Sequence, residues 1–489
     1  MASRIKDYGK ELSAFAIVVI IASLLIVIIR LISIKIFTNR LSTVEFGTLS
    51  LVLSIVGFLS MFISLGFQSS LIRYIVQYEE KGEFQSLSNM IPTTLLTIIS
   101  FGLTVSAVLV LISSPILNFK LFDSPRYFSI IIVISFLSIL SAINLIVNGI
   151  IRAQKKGKLY LILNVTNFYL GYGVAIVLII FSDLNILGIL IGLSFGAFIS
   201  ILIVFPPSLK KWGFGGFSKL ELKKLLKYGT PQSVATVVNT AYLFVFFYFI
   251  YQFVGSEELA FFYIGQSIVT PMVLLETGLS MAYIPTVFQI WERNQFDVLT
   301  KFVNKILKLF LIFSIGTVFM FFVLAPFFIE IVSNELYAIN SAVIVPFLLI
   351  EIIFRALRTI SCFGASIKEK MHIIAYMHGI SRIIALVIFF LLLPSWGILG
   401  ASIAFMSGSI VFFVLTFVVS QHFVKIKYHL VPLIKIFLAL IPGTIGVLII
   451  NSQNSIFNLC ISLIPFFVIL LLSKTFTFKE LKEILKTIF

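Results

Sequence analysis

Fourteen uninterrupted apolar runs follow one another between residues 14 and 473, each long enough for a helix to cross a bilayer. They cover 14–37, 47–72, 91–112, 129–151, 160–181, 185–206, 231–254, 259–290, 303–329, 340–362, 372–393, 397–420, 431–450 and 455–473. A helix needs about 20 such residues to span the hydrocarbon. The runs are continuous rather than alternating, so helices and not barrel strands are expected. Composition agrees: 60% of residues are hydrophobic and only 11% are charged, whereas soluble domains carry about 25% charged residues. So few charges cannot cover a water-facing surface, which excludes a soluble enzyme and a nucleic-acid-binding protein. The two cysteines, Cys362 and Cys460, lie far apart in apolar stretches and outline no disulfide scaffold. Arg4, Lys6 and Lys10 precede the first run as in a secretory signal. That run is too long for a signal core, and it reads as an uncleaved first span. The expected fold is an all-α polytopic membrane protein of about 14 transmembrane helices.

Basic residues set the orientation. With the N-terminus inside, 27 of the 36 lysines and arginines fall in cytoplasmic segments, and 4 fall outside (Lys35, Arg40, Lys120 and Arg126). This asymmetry places both termini in the cytoplasm, as expected for a multi-pass protein of the cytoplasmic (inner) membrane.

An internal repeat recurs at a spacing of about 212 residues. Leu187 to Gly196 (LGILIGLSFG) aligns with Leu399 to Gly408 (LGASIAFMSG). Lys156 and Lys158 align with Lys368 and Lys370, Gly66 with Gly278, Glu80-Lys81 with Glu292-Arg293, and Phe84 with Phe296. The chain therefore divides into an N-lobe of six spans over 1–206, a linker over 207–230, a C-lobe of six spans over 231–420, two further spans over 421–473, and a C-terminal helix over 474–489. An even number of spans gives the two copies the same topology and a pseudo-two-fold axis along the membrane normal. That arrangement is typical of alternating-access transporters that bind substrate between halves. In the linker, Ser218-x-x-Glu221 has the form of a capping box opening a lysine-rich amphipathic helix. Two readings fit its lysines: a helix lying on anionic headgroups, or a positively charged loop that sets topology.

The segment Arg40-Leu41-Ser42-Thr43-Val44-Glu45-Phe46-Gly47 precedes a span ending Leu65-Gly66-Phe67, then Ser70-Leu71-Ile72-Arg73-Tyr74. With Arg152-Ala153-Gln154 and Lys227-Tyr228-Gly229-Thr230-Pro231, it resembles the polysaccharide-biosynthesis exporters. These are the O-antigen and capsule flippases of the multidrug/oligosaccharidyl-lipid/polysaccharide exporter superfamily. The resemblance covers the chain to about residue 420 and implies a MATE-like fold. It also implies movement of a polyprenyl-pyrophosphate-linked oligosaccharide to the outer leaflet, with undecaprenyl as the lipid, and H+ or Na+ as coupling ions. A polysaccharide polymerase and a chain-length regulator are the implied protein partners, and membrane lipids the surroundings. Two spans beyond twelve keep a lipid II-type flippase open as an alternative.

Charges inside spans are costly and need a reason. They are Arg30, Glu276, Glu351, Arg355, Arg358 and Arg382. Four arginines against two glutamates leave a positive excess suited to a pyrophosphate, onto which guanidinium can fork. Arg30 and Arg382 are expected to face a polar cavity, with snorkelling the rival reading for Arg30. Glu351 and Arg355 form an i,i+4 pair that serves either as a salt bridge or in function. Arg358, nearer the cytoplasmic end, either snorkels or binds substrate. Glu276, flanked by Pro271 and Pro285, either couples transport to a cation or pairs with an arginine. Amides such as Asn144, Asn148 and Asn164 could match sugar hydroxyls and the ring of Tyr169 could stack on a sugar, against the stronger reading that amides within a membrane bond neighbouring helices. His378 is a weaker polar candidate.

No catalytic constellation, metal-ligand spacing or GxxxxGK[ST] loop is present, so no cofactor and no ATP-driven step within this chain are expected. A drug/cation antiporter of the same superfamily is the second reading. It would want a membrane-embedded acid in the first lobe, where Glu45, Asp123 and Asp183 all fall in loops. A polysaccharide polymerase or ligase is the third, and the short outer segments lack a catalytic loop for it.

Overall fold

The structure is a computed structural model that describes residues 2–113, 120–273, 286–368, 370–429 and 455–473, with Tyr283 and a few positions between 435 and 445. Glu276, Pro285, most of the expected thirteenth span and the expected 474–489 helix lie outside the described residues. Two compact units form, Met1–Ala260 and Phe261–Phe489. The helices are α1 (Ala2–Arg40), α2 (Thr43–Ile63), α3 (Phe67–Lys81), α4 (Phe84–Ile112), α5 (Tyr127–Ala153), α6 (Gly157–Phe181), α7 (Ile186–Leu209), α8 (Lys219–Phe253) and α9 (Ser256–Val269). They continue as α10 (Phe296–Val332), α11 (Glu335–Ser341), α12 (Val345–Ser361), α13 (Phe363–Ile367), α14 (Met371–Phe423) and α15 (Ser455–Leu472). Among the described residues, 9 helices are long and apolar enough to cross a membrane, or 10 with the bent α10 as one span. The protein is thus an all-helical multi-pass membrane protein, and the figure of fourteen is not reached by these residues.

The second apolar run, 47–72, is not one span. Helix α2 ends at Ile63, and the chain breaks at Leu65 and Gly66, both with positive φ (50° and 72°). Gly66 lies against the Gly229 carbonyl, where an added methyl would collide. The apolar pattern ran through this break because Phe67, Leu71 and Ile75 are fully buried in the shorter α3. The start of α2 is a capping box. The Ser42 hydroxyl accepts from the Glu45 N–H, and the Ser42 N–H donates to Glu45 Oε2 at 3.0 Å. Glu45 Oε1 also accepts from Asn185 Nδ2 at 2.7 Å, tying the α2 entry to the α6–α7 turn. Helices α6 and α7 approach closely where Gly192 and Gly196 face Ala175 and Gly171, leaving no room for larger residues.

The linker does not form a separate surface helix. The helix that begins after Ser218 continues without a stop through Pro231 to Phe253 as α8, within the first unit. Only half of the expected capping box exists. Ser218 Oγ accepts from the Glu221 N–H at 3.3 Å, while the Ser218 N–H turns to Thr93 Oγ1 at 2.9 Å. The Glu221 carboxylate is used elsewhere: Tyr78 Oη donates to it at 2.8 Å, and Lys224 Nζ binds it at 2.8 Å. Lys211 and Trp212 both donate to Glu79, and the Gly215 N–H donates to the Ser88 carbonyl. The linker is therefore bonded to α3 and α4 along its length. Its outward face keeps Lys219, Lys223 and Lys227 exposed, each one turn from the next.

Local geometry repeats at the spacing read from the sequence. Gly82 and Asn294, 212 residues apart, both have positive φ (71° and 56°). Each is followed by the same backbone closure: Glu83 N–H to the Tyr78 carbonyl at 2.9 Å, and Gln295 N–H to the Ile290 carbonyl at 3.3 Å. Helices then start at Phe84 and Phe296. Asn185 (φ 48°, ψ −123°) and Gly397 (φ 52°, ψ −135°) likewise share one rare conformation, each ahead of an LG pair. The kink at Gly397 divides α14 into the two expected spans. In the second unit, α10 bends by 67° between Val318 and Val323, next to Pro326, whose ring clashes with the carbonyl four residues earlier. Its core holds Leu299, Val303, Ile312, Ile360, Phe363 and Phe466, and Tyr283 Oη donates to the Ile360 carbonyl at 2.7 Å.

Two outcomes test this account. Gly66→Ala is expected to destabilise the first unit by at least about 1–2 kcal/mol, read as a lower melting temperature of the detergent-purified protein, with Gly57→Ala, which meets open space, nearly silent. Lys224→Met is expected to speed tryptic cleavage after Lys219 and Lys223 at least about threefold by loosening the linker. Burial alone would lower the Lys224 pKa, but its bonds to Glu221 and Tyr78 outweigh that and raise it above 10.5. A raised lysine pKa contributes stability below the ordinary value and loses it only as pH climbs through the raised one. The Lys224 effect is therefore expected to be constant from about pH 6 to about pH 9.

Candidate functional site

Four of the charges read from the sequence come together in the second unit, on α12 and α14. Glu351 is buried at 3% exposure. Its Oε1 accepts from Ser409 Oγ at 2.9 Å and lies 3.9 Å from Arg355 Nη1. The hydroxyl bond is the closer one, so Glu351 mainly fastens α12 to the second half of α14. The ion pair to Arg355 is the longer of the two contacts.

Arg358 does not run out to the helix end. Its guanidinium carbon sits 4.9 Å from the centre of the Phe412 ring, and Nη2 approaches Thr359 Oγ1 at 3.4 Å. The same Phe412 ring is packed by His378, with centroids 4.7 Å apart and planes at 31°. His378 Nε2 in turn accepts from Arg382 Nε at 3.1 Å. Two guanidiniums from different helices are thus joined through one imidazole and one phenyl ring, and both charges act on His378. Acceptance at Nε2 requires the neutral ring with its proton on Nδ1.

The helix rows decide which way the mid-span arginines point. With about 100° of rotation per residue, Tyr376, Ile380, Ile383, Val387 and Leu391 form one exposed stripe on α14, while Ser381, Ala385 and Phe389 are buried on the other side. Half-buried Arg382 lies beside the buried row, about 130° from the middle of the exposed stripe. On α1, the exposed stripe is Ile17, Ile21, Leu24, Ile28 and Ile32, and the buried row is Ala22, Ser33 and Phe37. Arg30, also half-buried, lies about 150° from that stripe. Arg30 belongs to the first unit and the α12–α14 cluster to the second.

The amides behave as helix fasteners. Asn144 Nδ2 donates to the Ala197 carbonyl at 3.2 Å, and Ser200 Oγ donates to Asn144 Oδ1 at 3.3 Å. Asn148 Nδ2 reaches Asn164 Oδ1 at 3.4 Å, and Tyr169 Oη donates to the Leu25 carbonyl at 3.1 Å. A small cavity between α10 and α12, walled by Phe310, Leu349, Ile352 and Ala356, offers only the Ser314 and Thr317 hydroxyls and includes none of the arginines. Sequence reasoning gave His378 and Phe412 little or no weight. Their only sequence signal is the i,i+4 spacing of His378 and Arg382, since Phe412 approaches from the far side of the Gly397 kink.

Glu351→Gln keeps an acceptor for Ser409 and loses the ion pair to Arg355, and its cost is expected to be smaller than that of Glu351→Leu. Glu351→Leu leaves the buried Ser409 hydroxyl without its carboxylate, with an expected cost of about 1–3 kcal/mol. Thermal unfolding in detergent measures both.

Comparison with known proteins agrees with this architecture. A curated relative from Shigella flexneri, named "Putative O-antigen transporter", is 21% identical over 366 residues, covering 73% of this chain and 85% of the relative. Among solved structures, the lipid II flippase MurJ in an inward closed conformation superposes with a TM-score of 0.71 at 17% identity, covering 94% of this chain and 98% of that one. An inward-facing multidrug resistance MATE family transporter of the MOP superfamily gives 0.63 at 14% identity, covering 81% and 93%. These likenesses show the fold. The model of the family described as polysaccharide biosynthesis protein matches residues 14–291, more than half of the chain, and the chain belongs to that family.

Proposed function

We propose that this protein is a flippase that carries polyprenyl-pyrophosphate-linked oligosaccharide repeat units across the cytoplasmic membrane for surface polysaccharide assembly. One observation carries the reading: Arg30 and Arg382 lie on the inward rows of their helices, opposite the exposed apolar stripes. Arginines turned from lipid, in excess over acid, suit a diphosphate headgroup. In this reading Arg358 and Arg382, which flank the Phe412–His378 ring pair, are diphosphate ligands, with Arg30 and Arg355 as further candidate ligands. Sugars would follow the headgroup while the polyprenyl chain stays in hydrocarbon. Transport would proceed by exposing the headgroup alternately to the two membrane faces, with lobes at 1–206 and 231–420 and both termini in the cytoplasm. The energy would come from an H+ or Na+ gradient or from the substrate gradient.

The name of the Shigella relative supports an oligosaccharide-linked substrate. The MurJ likeness extends over more of the chain than the MATE likeness, which favours a lipid-linked substrate over a soluble drug. A lipid II-type substrate is the second reading on that ground.

Arg30→Ala and Arg382→Ala are each expected to lower polysaccharide export at least about tenfold, with membrane levels of the protein unchanged and lipid-linked repeats accumulating on the cytoplasmic leaflet. Arg382→Lys is expected to recover part of the activity. Undiminished export in both alanine variants would remove the cationic headgroup site.

A further inference from the structure

We infer that the basic end of α3 and α8 is a binding site for an anionic phospholipid. The Arg73 guanidinium, laid on the Tyr228 ring, forks onto the phosphodiester, Lys223 and Lys227 flank it, and the acyl chains follow Val234 and Val238 along α8. All of these residues belong to the first unit, and none is among the arginines of the proposed headgroup site.

Helix α3 runs antiparallel to the start of α8. Gly66 meets the Gly229 carbonyl, Ser70 Oγ donates to the Leu225 carbonyl at 2.9 Å, and Tyr78 Oη donates to Glu221 at 2.8 Å. Arg73 lies between these contacts. Its guanidinium carbon sits over the Tyr228 ring, 4.4 Å from the centre, and 5.8 Å from the centre of the Tyr74 ring. Tyr74 meets Tyr228 edge-on at 6.2 Å and stacks on Tyr78 at 6.0 Å. Tyrosines gathered at one helix end mark the depth of lipid headgroups. A guanidinium held against a ring by its face keeps its N–H edge for an acceptor. Arg73 is exposed, and among the described residues no carboxylate, carbonyl or hydroxyl takes its N–H groups. The nearby acids are committed elsewhere: Glu79 to Lys211 and Trp212, and Glu221 to Tyr78 and Lys224. Exposed Glu80 stands two turns beyond Arg73 on α3, about 10 Å along the axis and away from the α2 span. Arg73, Lys223 and Lys227 therefore remain as positive charge without an acidic partner among the described residues.

Helix α8 supplies the rest of the ligand's outline. Its exposed face runs from Lys223 and Lys227 through Thr230 and Pro231 to Val234, which is 55% exposed, and Val238. At the helical angle per residue these positions fall within about 100° of one another. One face thus passes from ammonium groups to branched apolar side chains over about 10 Å between Lys227 and Val234. Lysine stems can close that gap by reaching along the helix toward the phosphate. A phospholipid standing beside the helix has the same profile, with phosphate at the cations and chains on the valines. An anionic headgroup fits better than a zwitterionic one, which would bring a further cation among three. The fork of Arg73 fixes the phosphate, which a diffuse attraction to surface lysines would not do.

The test acetylates lysines of the full-length protein in lipid nanodiscs with N-hydroxysuccinimide acetate and reads each position by mass spectrometry. Discs of phosphatidylcholine alone are compared with discs in which phosphatidylglycerol is about a third of the lipid. Phosphatidylglycerol is expected to slow acetylation of Lys227 at least about threefold in wild type. Arg73→Gln and Tyr228→Leu are each expected to remove most of that protection, and Tyr228→Phe, which keeps the ring, to preserve it. Lys224, held by Glu221 and Tyr78, reports the α3–α8 contact, so unchanged acetylation there shows that a variant is folded. Should Tyr228→Leu disturb Lys224, Arg73→Gln decides alone. Equal protection of Lys227 in wild type and in Arg73→Gln would mean attraction to a charged surface without a built site, and the inference falls. It falls as well if phosphatidylglycerol leaves Lys227 of wild type unprotected while farnesyl diphosphate, added to phosphatidylcholine discs, protects it, which would give the site to the transported lipid. Protection by neither lipid overturns it outright.

Discussion

Hydrocarbon solvates neither an unpaired peptide group nor an unpaired guanidinium, and this one constraint organises the molecule. The backbone answers it with helices whose hydrogen bonds close within each segment. The few charged side chains answer it by turning away from the exposed stripes of isoleucine, leucine and valine. Arg382 then meets His378, Arg358 meets Phe412, and Glu351 meets Ser409. Each contact gives a polar group in a span a partner of suitable kind. The cluster is therefore a product of the same rule that sets the helices.

At the basic end of the first unit the constraint is relaxed, and ordinary charge pairing takes over. Glu79 and Glu221 receive Lys211, Trp212, Tyr78 and Lys224. These bonds hold the linker on α3 and α4 and make it the first turns of α8. The segment is thus bonded to α3 and α4 at one end and runs on as a long helix at the other. The exposed lysines at 219, 223 and 227 remain on the outward face, where anionic headgroups can reach them.

Much of the fold could be read directly from residues. Continuous apolar runs announce spanning helices because length and hydropathy act locally. The 212-residue repeat was visible in LGILIGLSFG and LGASIAFMSG, and the shared backbone conformations at Asn185 and Gly397 give it physical content. The Ser42–Glu45 box is a local capping device that its spacing already encodes. The break at Leu65–Gly66 was hidden, because buried apolar residues on α3 continue the hydrophobic pattern of α2 without interruption. The second capping box was misread for the opposite reason: Ser218 and Glu221 have the local spacing, but Thr93 and Tyr78 compete for their bonds from 125 and 143 residues away.

By itself the sequence determined that the chain crosses a membrane as helices, that segments recur at a spacing of about 212 residues, and that arginine outnumbers acid within the spans. These properties depend on composition and on periods of a few residues. Only the tertiary structure decided that Arg358, His378, Phe412 and Arg382 share one place, that Glu351 fastens two helices, and that the linker is bonded rather than loose. Such pairings join positions far apart in the chain, or set by a kink, and no local period carries them. They are settled when each costly polar group finds its partner in the packed helices.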